Sequence, residues 1–331
     1  MKVEDIKFTV PESWKGKNIL VMPYMNQSTE KTAANLKVEI DPTTIGKSCG
    51  IEYRDSITCV KYNSNYGPKY GGSITLNDYS CWNILLDSNK ITLEEQSIIM
   101  GVSENEGNLD AVQSYDSEIV TVGAMQKTIN PDGYGEFPTQ MAEFKDEYPD
   151  LFEQLFTNCG WSVEKENDKW RVYYSNKTGQ DLKNEIRKNC SESTYGQKIK
   201  AIPIEPLINA SKNEVFQSKQ IYDFISRLNN KVLNVIPSGY NYTLKDYMKS
   251  KLGKATVLDH HINRPAFVAT DFGKALDRFF KKNPGVSNNP SEWKEKNNEY
   301  EKSILDDYGV NRRGTDMANR YQKMSDNDSL K

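Results

Sequence analysis

Ser103 to Gln126 reads SENEGNLDAVQSYDSEIVTVGAMQ, and the reading of this stretch decides the fold. An amphipathic pattern runs into it and stops at Glu106-Gly107. A glycine directly after a helix suits a helix stop, because the chain there commonly turns left-handed. Tyr115-Asp116 follow, then a β-prone run from Ile119 to Val122 that reaches Gly123 and Gln126. The segment is a helix end, a loop and a short hairpin, with one carboxylate at the helix end and another before the β-run.

Working outward, Thr92-Leu-Glu-Glu95 predicts a capping box at the start of that helix. Ile98, Ile99 and Val102 make its apolar stripe. Glu106 then falls at the helix C-terminus, where the negative end of the macrodipole opposes ionisation. Glu104 lies two residues earlier, about 200° around a helix, so the two carboxylates cannot face one cleft. Asp110 is a further nearby carboxylate.

Two carboxyl groups with different environments are what cleavage of a glycosidic bond requires. One stays protonated and donates to the leaving oxygen; the other attacks or orients water. Glu106 suits the acid. Asp116, after a polar loop, suits the ionised partner, and the Thr121 hydroxyl suits the holding of a water. Gly123 allows close approach of substrate or backbone. Gln126 and Tyr115 are candidate sugar-binding side chains, as an amide and a stacking ring.

These residues resemble phage-type lysozymes, in which a Glu-Gly closes a helix and an Asp and a Thr sit on the adjacent hairpin before a Gly. The longer form resembles the lysozyme-like peptidoglycan hydrolases of phage tails and bacterial toxins, whose fold is shared with chitosanases. That group carries S-x-x-E-G, Y-D and S-F-G-x-x-Q blocks; here Thr121-Val122 stands for Ser-Phe, and Asp116 is offset by one position from the phage-lysozyme spacing. Leu258 to Pro265, LDHHINRP, is similar to the group's D-x-H-V-N-R-P block. The resemblance implies Glu106 as general acid, with Asp116 and Thr121 holding water. It implies hydrolysis of the β-1,4 bond of peptidoglycan glycan strands without a cofactor. A chitosanase-type hydrolase and a non-catalytic wall-binding or spike protein are the alternatives. Implied partners are a delivery machine or spike protein and an immunity protein.

Asp259, Asn263 and Arg264 surround the only histidines, His260 and His261. We read them as a buried polar network bracing a helix near the cleft, with Arg264 as the candidate partner of a site carboxylate. Adjacent histidines point about 100° apart on a helix, so no metal site is expected.

The fold class expected is α+β: a mainly helical lysozyme-like domain over residues 91–325, with a small β-hairpin at the active site. Residues 1–90 carry short β-type runs at 6–10, 18–22, 36–40, 56–60 and 73–76, with turns at Asp41-Pro42, Gly67-Pro68 and Gly71-Gly72. They predict a β-rich module, or strands laid against the main domain. Helices are expected over 137–144, 149–156, 180–188, 216–235, from 244, and over 256–263, 272–281, 293–307 and 315–323. A strand is expected over 170–174, and residues 326–331 as a frayed tail.

Charge is nearly balanced, 43 Lys+Arg against 46 Asp+Glu, which gives no basic face for nucleic acid. Mean hydropathy is −0.74, and no run approaches the ~20 apolar residues of a membrane span. The start, MKVEDIKFTV, has acidic residues where a signal peptide needs an apolar stretch. Cytoplasmic synthesis and non-classical delivery to the wall are therefore expected. Of the five cysteines, none forms a C-x-x-C pair. They are expected as buried free thiols, with a Cys159–Cys190 bridge as the alternative.

Overall fold

The computed structural model describes residues 49–331. The strands expected at 6–10, 18–22 and 36–40, and the Asp41-Pro42 turn, lie outside the described residues. The chain is α+β. Its antiparallel sheet has the order β1 (Thr58–Tyr62), β2 (Asn65–Tyr70), β3 (Val112–Gln113), β4 (Val120–Val122), β5 (Lys127–Ile129). Lys69 pairs with Gln113, Gln113 with Thr121, and Thr121 with Thr128.

This register bears on how the described residues before 90 relate to the rest. Strands from both sides of residue 90 share one sheet, so the described part of 1–90 is laid against the main domain. Gly67-Pro68 is mid-strand and not a turn. A Cβ at Gly67 would stand 1.6 Å from the Ser114 carbonyl oxygen. Glycine is there because the β3–β4 loop crosses directly over it. Residues 73–76, expected as a strand, lead instead into a 3₁₀ turn at Leu76–Asp78.

Two cores flank the cleft. The first is helical: α1 (Trp82–Asp87) and α2 (Leu93–Ser103) pack with later helices described below. In α2 the capping box forms as read: Thr92 Oγ1 accepts from Glu95 N at 3.1 Å and Glu95 Oε2 accepts from Thr92 N at 2.8 Å. The second core backs the sheet with α3 (Glu136–Glu147), α4 (Pro149–Leu155), the hairpin β6 (Trp161–Glu166) and β7 (Lys169–Tyr174), α5 (Gly179–Arg187) and α6 (Glu205–Lys212).

Helix α7 (Glu214–Ser226) joins the two. Asn213 caps it by accepting from Val215 N and Phe216 N. Phe216 packs edge-on with Phe137, Phe144 and Phe156 in the sheet-side core. Ile221, Phe224 and Ile225 enter the helical core. The single helix expected over 216–235 does not form. A π-helical turn, Arg227–Val232, follows α7, and Leu233 N donates to Leu228 O at 3.0 Å, five residues back. The wider turn keeps Leu228, Val232 and Leu233 in the core while Arg227 reaches out to Glu136. Such turns recur at functional sites.

The helical lobe is completed by α8 (Leu244–Tyr247), α9 (Lys251–Asn263), α10 (Val268–Lys282), α11 (Asn297–Asn311) and α12 (Met317–Asp326). The tail expected to fray does not. Asp328–Leu330 form a 3₁₀ turn, and Leu330 is buried where a Cβ at Gly101 would meet it at 2.7 Å. One apolar side chain with a fitted glycine opposite outweighs the polar composition around it. No helix among the described residues is long and apolar enough to cross a membrane.

The cysteine expectation is also corrected. Cys49 bridges Cys159 and Cys59 bridges Cys190, leaving Cys81 as a buried free thiol. Residues 196–199 lie along the outer edge of β1, with Gly196 N donating to Cys59 O and Cys59 N to Gln197 O, both at 2.9 Å. That pairing carries Cys190 to Cys59. Cys159 and Cys190 therefore do not bridge each other.

Candidate active site

Glu106 ends the turns that follow α2, with Glu106 N donating to Ser103 O at 3.0 Å. Gly107 takes a φ of 138°, and the chain then leaves the helix direction. Glu104 turns away and accepts from Asn327 Nδ2 at 3.1 Å. The Glu106 side chain is only 2% exposed. Its Oε1 pairs with Arg320, and its Oε2 accepts from Gln126 Nε2 at 2.7 Å. Burial pushes its pKa from the ordinary carboxyl value up to about 7; the Arg320 charge pulls it back and the Asp259 charge adds to the rise.

Arg320 links Glu106 to the α9 network. Its Nη2 lies 2.6 Å from Asp259 Oδ1, and Asp259 in turn pairs with Arg312 at 2.8 Å. Asp259 is fully buried, with Asn105 Nδ2 donating to it at 3.4 Å. Arg312 is held by the Thr256 and Gly309 carbonyls. Asp259 thus reaches the site through Arg320. Asn263 does not; its Oδ1 accepts from Thr315 N at 3.4 Å and steadies the loop before α12. Arg264 is exposed and makes no ion pair among the described residues. The carboxylate pairing expected of it is made instead by Arg320, from a helix far away in sequence. His260 turns to the Tyr308 hydroxyl at 2.6 Å, while His261 lies in the field of Arg227 and Glu136.

A cleft of about 220 Å³ opens between the lobes, lined by Met125, Lys127, Glu136, Asp223, Arg227 and Lys231 among others. Glu106 is not among the residues that line it, and connects to it through Gln126. Gln126, which holds Glu106, follows Met125, and the Arg227 charge acts on Glu106. On the α3 side, burial raises the Glu136 pKa, but the charge and hydrogen bond of Arg227 outweigh it and leave the group below its ordinary value. Asp223 is likewise raised by burial and brought lower by Lys127 and Lys219. It accepts from Gln140 Nε2 at 2.8 Å and lies 3.0 Å from Lys219 Nζ. Asp223 is saturated, whereas Glu136 is 42% exposed in its side chain and has one carboxylate oxygen uncommitted. The cleft carboxylates are held below their ordinary pKa, while the Glu106 carboxyl, joined to the cleft wall through Gln126, is held above its own. Opposed shifts of this kind mark acid and base assignments.

The hairpin residues fall differently. Asp116 sits in the β3–β4 turn, where its Oδ1 accepts from Glu118 N at 3.0 Å and its main-chain carbonyl accepts from Arg187 at 2.8 Å. Gln126 is in the turn at the other end of β4. At ~3.3 Å per residue, the path from Gly123 back to Glu118 spans roughly 16 Å. Asp116 is therefore remote from Glu106, because the strand between them is extended. Tyr115 is at that far turn too, with its ring 6.2 Å from that of Tyr62. Thr121 is mid-strand, and its buried Oγ1 has no partner. Gly123, with φ of 75°, makes room not for substrate but for Gln220, whose Oε1 would be 1.9 Å from a Cβ there. Asp110 is fully buried and accepts from the Ser73 and Ile74 amides, at 2.8 and 2.9 Å.

The residues that sequence reasoning missed are Arg320, Glu136, Lys127 and the α7 set. Lys219, Asp223 and Arg227 recur at four-residue intervals along α7 and into the π-helical turn, a spacing that puts charge on one face. That signal was available. Compared with models of protein families, with curated proteins and with solved structures, the chain matches none.

Proposed function

We propose that the protein is a glycoside hydrolase of the bacterial cell wall, cutting the β-1,4 bond of peptidoglycan with Glu106 as general acid. The feature that carries this reading is the Glu106 carboxyl, which burial holds protonated up to about pH 7, joined through Gln126 to the wall of the cleft. General acids work best with a pKa near the working pH. Glu136, ionised and partly free on the opposite wall, is the second carboxylate in this reading, in place of Asp116. The lysozyme-like fold belongs to the same proposal, on the Glu106-Gly107 helix end followed by the short hairpin.

The cleft charges favour peptidoglycan over chitosan. Lys127, Arg227 and Lys231 balance Glu136, Glu143 and Asp223, whereas a polycationic glycan calls for an acidic groove. The two disulfides suit a protein that works in an oxidising place outside the cytosol, as delivery to a target-cell wall requires. The competing reading is a non-catalytic wall binder. It draws on the double engagement of Glu106 by Arg320 and Gln126, which leaves neither carboxyl oxygen idle.

Mass spectrometry of sacculi digested by the wild type and by Glu106→Gln separates these. Muropeptides with a hydrolysed glycan bond, from the wild type alone, support the hydrolase. Sacculus binding without release, equal in both, supports the binder. Full release by Glu106→Gln overturns the assignment.

A further inference from the structure

A second cavity, of about 340 Å³, opens on the helical lobe and shares no lining residue with the cleft. Tyr242, Asp246, Lys249, Asn289, Lys294 and Asn297 surround it. Several of these are committed. Asp246 Oδ2 caps α8, accepting from Thr243 N and Oγ1, both at 2.8 Å. Asn289 Oδ1 accepts from Ser291 N and Oγ. Lys249 Nζ donates to the Lys245 carbonyl at 2.8 Å. Three groups have no hydrogen-bond partner among the described residues: the Tyr242 hydroxyl, the Lys294 ammonium and the Asn297 amide. The Asn297 Oδ1 is buried. With no accessible surface it is closed to any ligand, so the end of the amide that a ligand can meet is its nitrogen. Lys294 holds a left-handed φ of 49° at the rim, a conformation uncommon outside glycine.

The chemistry selects a ligand. It must offer acceptors to the Asn297 amide nitrogen and to Lys294, and an apolar face to the Tyr242 ring. A pyranose does all three. Its hydroxyls accept from both nitrogens, and its C–H face stacks on an aromatic ring. Inorganic phosphate has no apolar face for the Tyr242 ring and meets the Asp246 carboxylate. We propose that this cavity is a second glycan-binding site, which takes a sugar of an N-acetylglucosamine-containing strand and tethers the protein to it. The N-acetyl detail rests on the wall-glycan reading above; the sugar chemistry does not.

The test is an NMR titration of the full chain carrying Glu106→Gln, followed amide by amide. Tetra-N-acetylchitotetraose and soluble glycan strands from amidase-treated peptidoglycan are the two probes, and inorganic phosphate is the control. Saturable shifts across residues 289–297 are expected, including the Asn297 side-chain amide. Tyr242→Ala should weaken binding about tenfold, a loss of ~1.4 kcal/mol. Tyr242 also packs edge-on against Tyr247, so Lys294→Ala on the exposed rim is the second variant, with a similar loss expected. Binding of chitotetraose but not of wall strands keeps the sugar site and removes the wall as its source. No shifts, shifts confined to the cleft, equal shifts with phosphate, or unchanged affinity in both variants overturns the proposal. Failure of the hydrolase reading would register instead in muropeptide release by the wild type.

Discussion

Gln126 donates from one amide nitrogen to two oxygens of Glu106, the main-chain carbonyl at 2.9 Å and the carboxyl Oε2 at 2.7 Å. It does so from a left-handed backbone, with φ of 50°. One side chain therefore fixes both the backbone and the carboxyl of the proposed acid. Gln126→Gly keeps the turn, since glycine accepts that φ, and removes both donations. Two hydrogen bonds to a neutral acid are together worth about 1–3 kcal/mol. Hydrolysis should fall roughly ten- to hundredfold, with a melting temperature close to wild type. A variant of full activity would show that the bond is incidental.

The pH dependence follows from Glu106. Its pKa is about 7 in the fold against an ordinary value of 4.5. The carboxyl is protonated below about 7, so an acid-dependent rate holds on the acidic side and falls as pH rises through that value. The stability contribution has the same sense. The folded state binds this proton more tightly, so the contribution is complete below 4.5 and is lost as pH rises to about 7. Rate–pH profiles and denaturation midpoints across this window check both, and Glu106→Gln should abolish the stability slope assigned to the group.

Arg320 pairs with both Glu106 and Asp259. Arg320→Ala leaves two buried carboxyls short of a cation, and losses of this kind run to about 3–5 kcal/mol. Removing the charge that lowers the Glu106 pKa should also move the alkaline limb of any residual activity to higher pH. Urea titration and the pH profile read the two effects separately. A limb that stays in place would mean that Arg320 does not tune the acid.

The second carboxylate is decided by a comparison. Glu136→Gln should cost hydrolysis at least about a hundredfold, in the range of acid–base contributions. Asp116→Asn, at the far turn of the hairpin, should change it by less than about twofold, as surface substitutions usually do. The reverse outcome would restore Asp116 to the site.

The covalent frame has its own signature. With five cysteines in the chain and two bridges formed, thiol titration of the denatured, unreduced protein should find one thiol, Cys81. The bridges close separations of 110 and 131 residues. In the chain-entropy account, loops of that size contribute on the order of 4–5 kcal/mol each. Reduction should therefore lower the melting temperature sharply.

Much of the local structure was legible in the chain. The Thr92–Glu95 box, the Glu106-Gly107 helix end and the helices at 137–144, 149–156 and 180–188 rest on contacts within a few residues, and such contacts are written in order along a sequence. The π-helical turn at Arg227 was not legible, because the demands of two cores and one cleft on the same helix impose it. The tail at Leu330 and the bridges at Cys59 and Cys190 were not legible either, since each depends on a partner more than a hundred residues away.

By itself the sequence determined the α+β class, the position of Glu106 close after a helix and the order of the elements around it. Only the tertiary structure decided that Glu106 is buried against Arg320, that Asp116 is held a strand's length away, and that Glu136 and Arg227 face the cleft. The physical reason is that a carboxyl's chemistry depends on burial and neighbouring charge. Both are set by which distant segments the fold brings together.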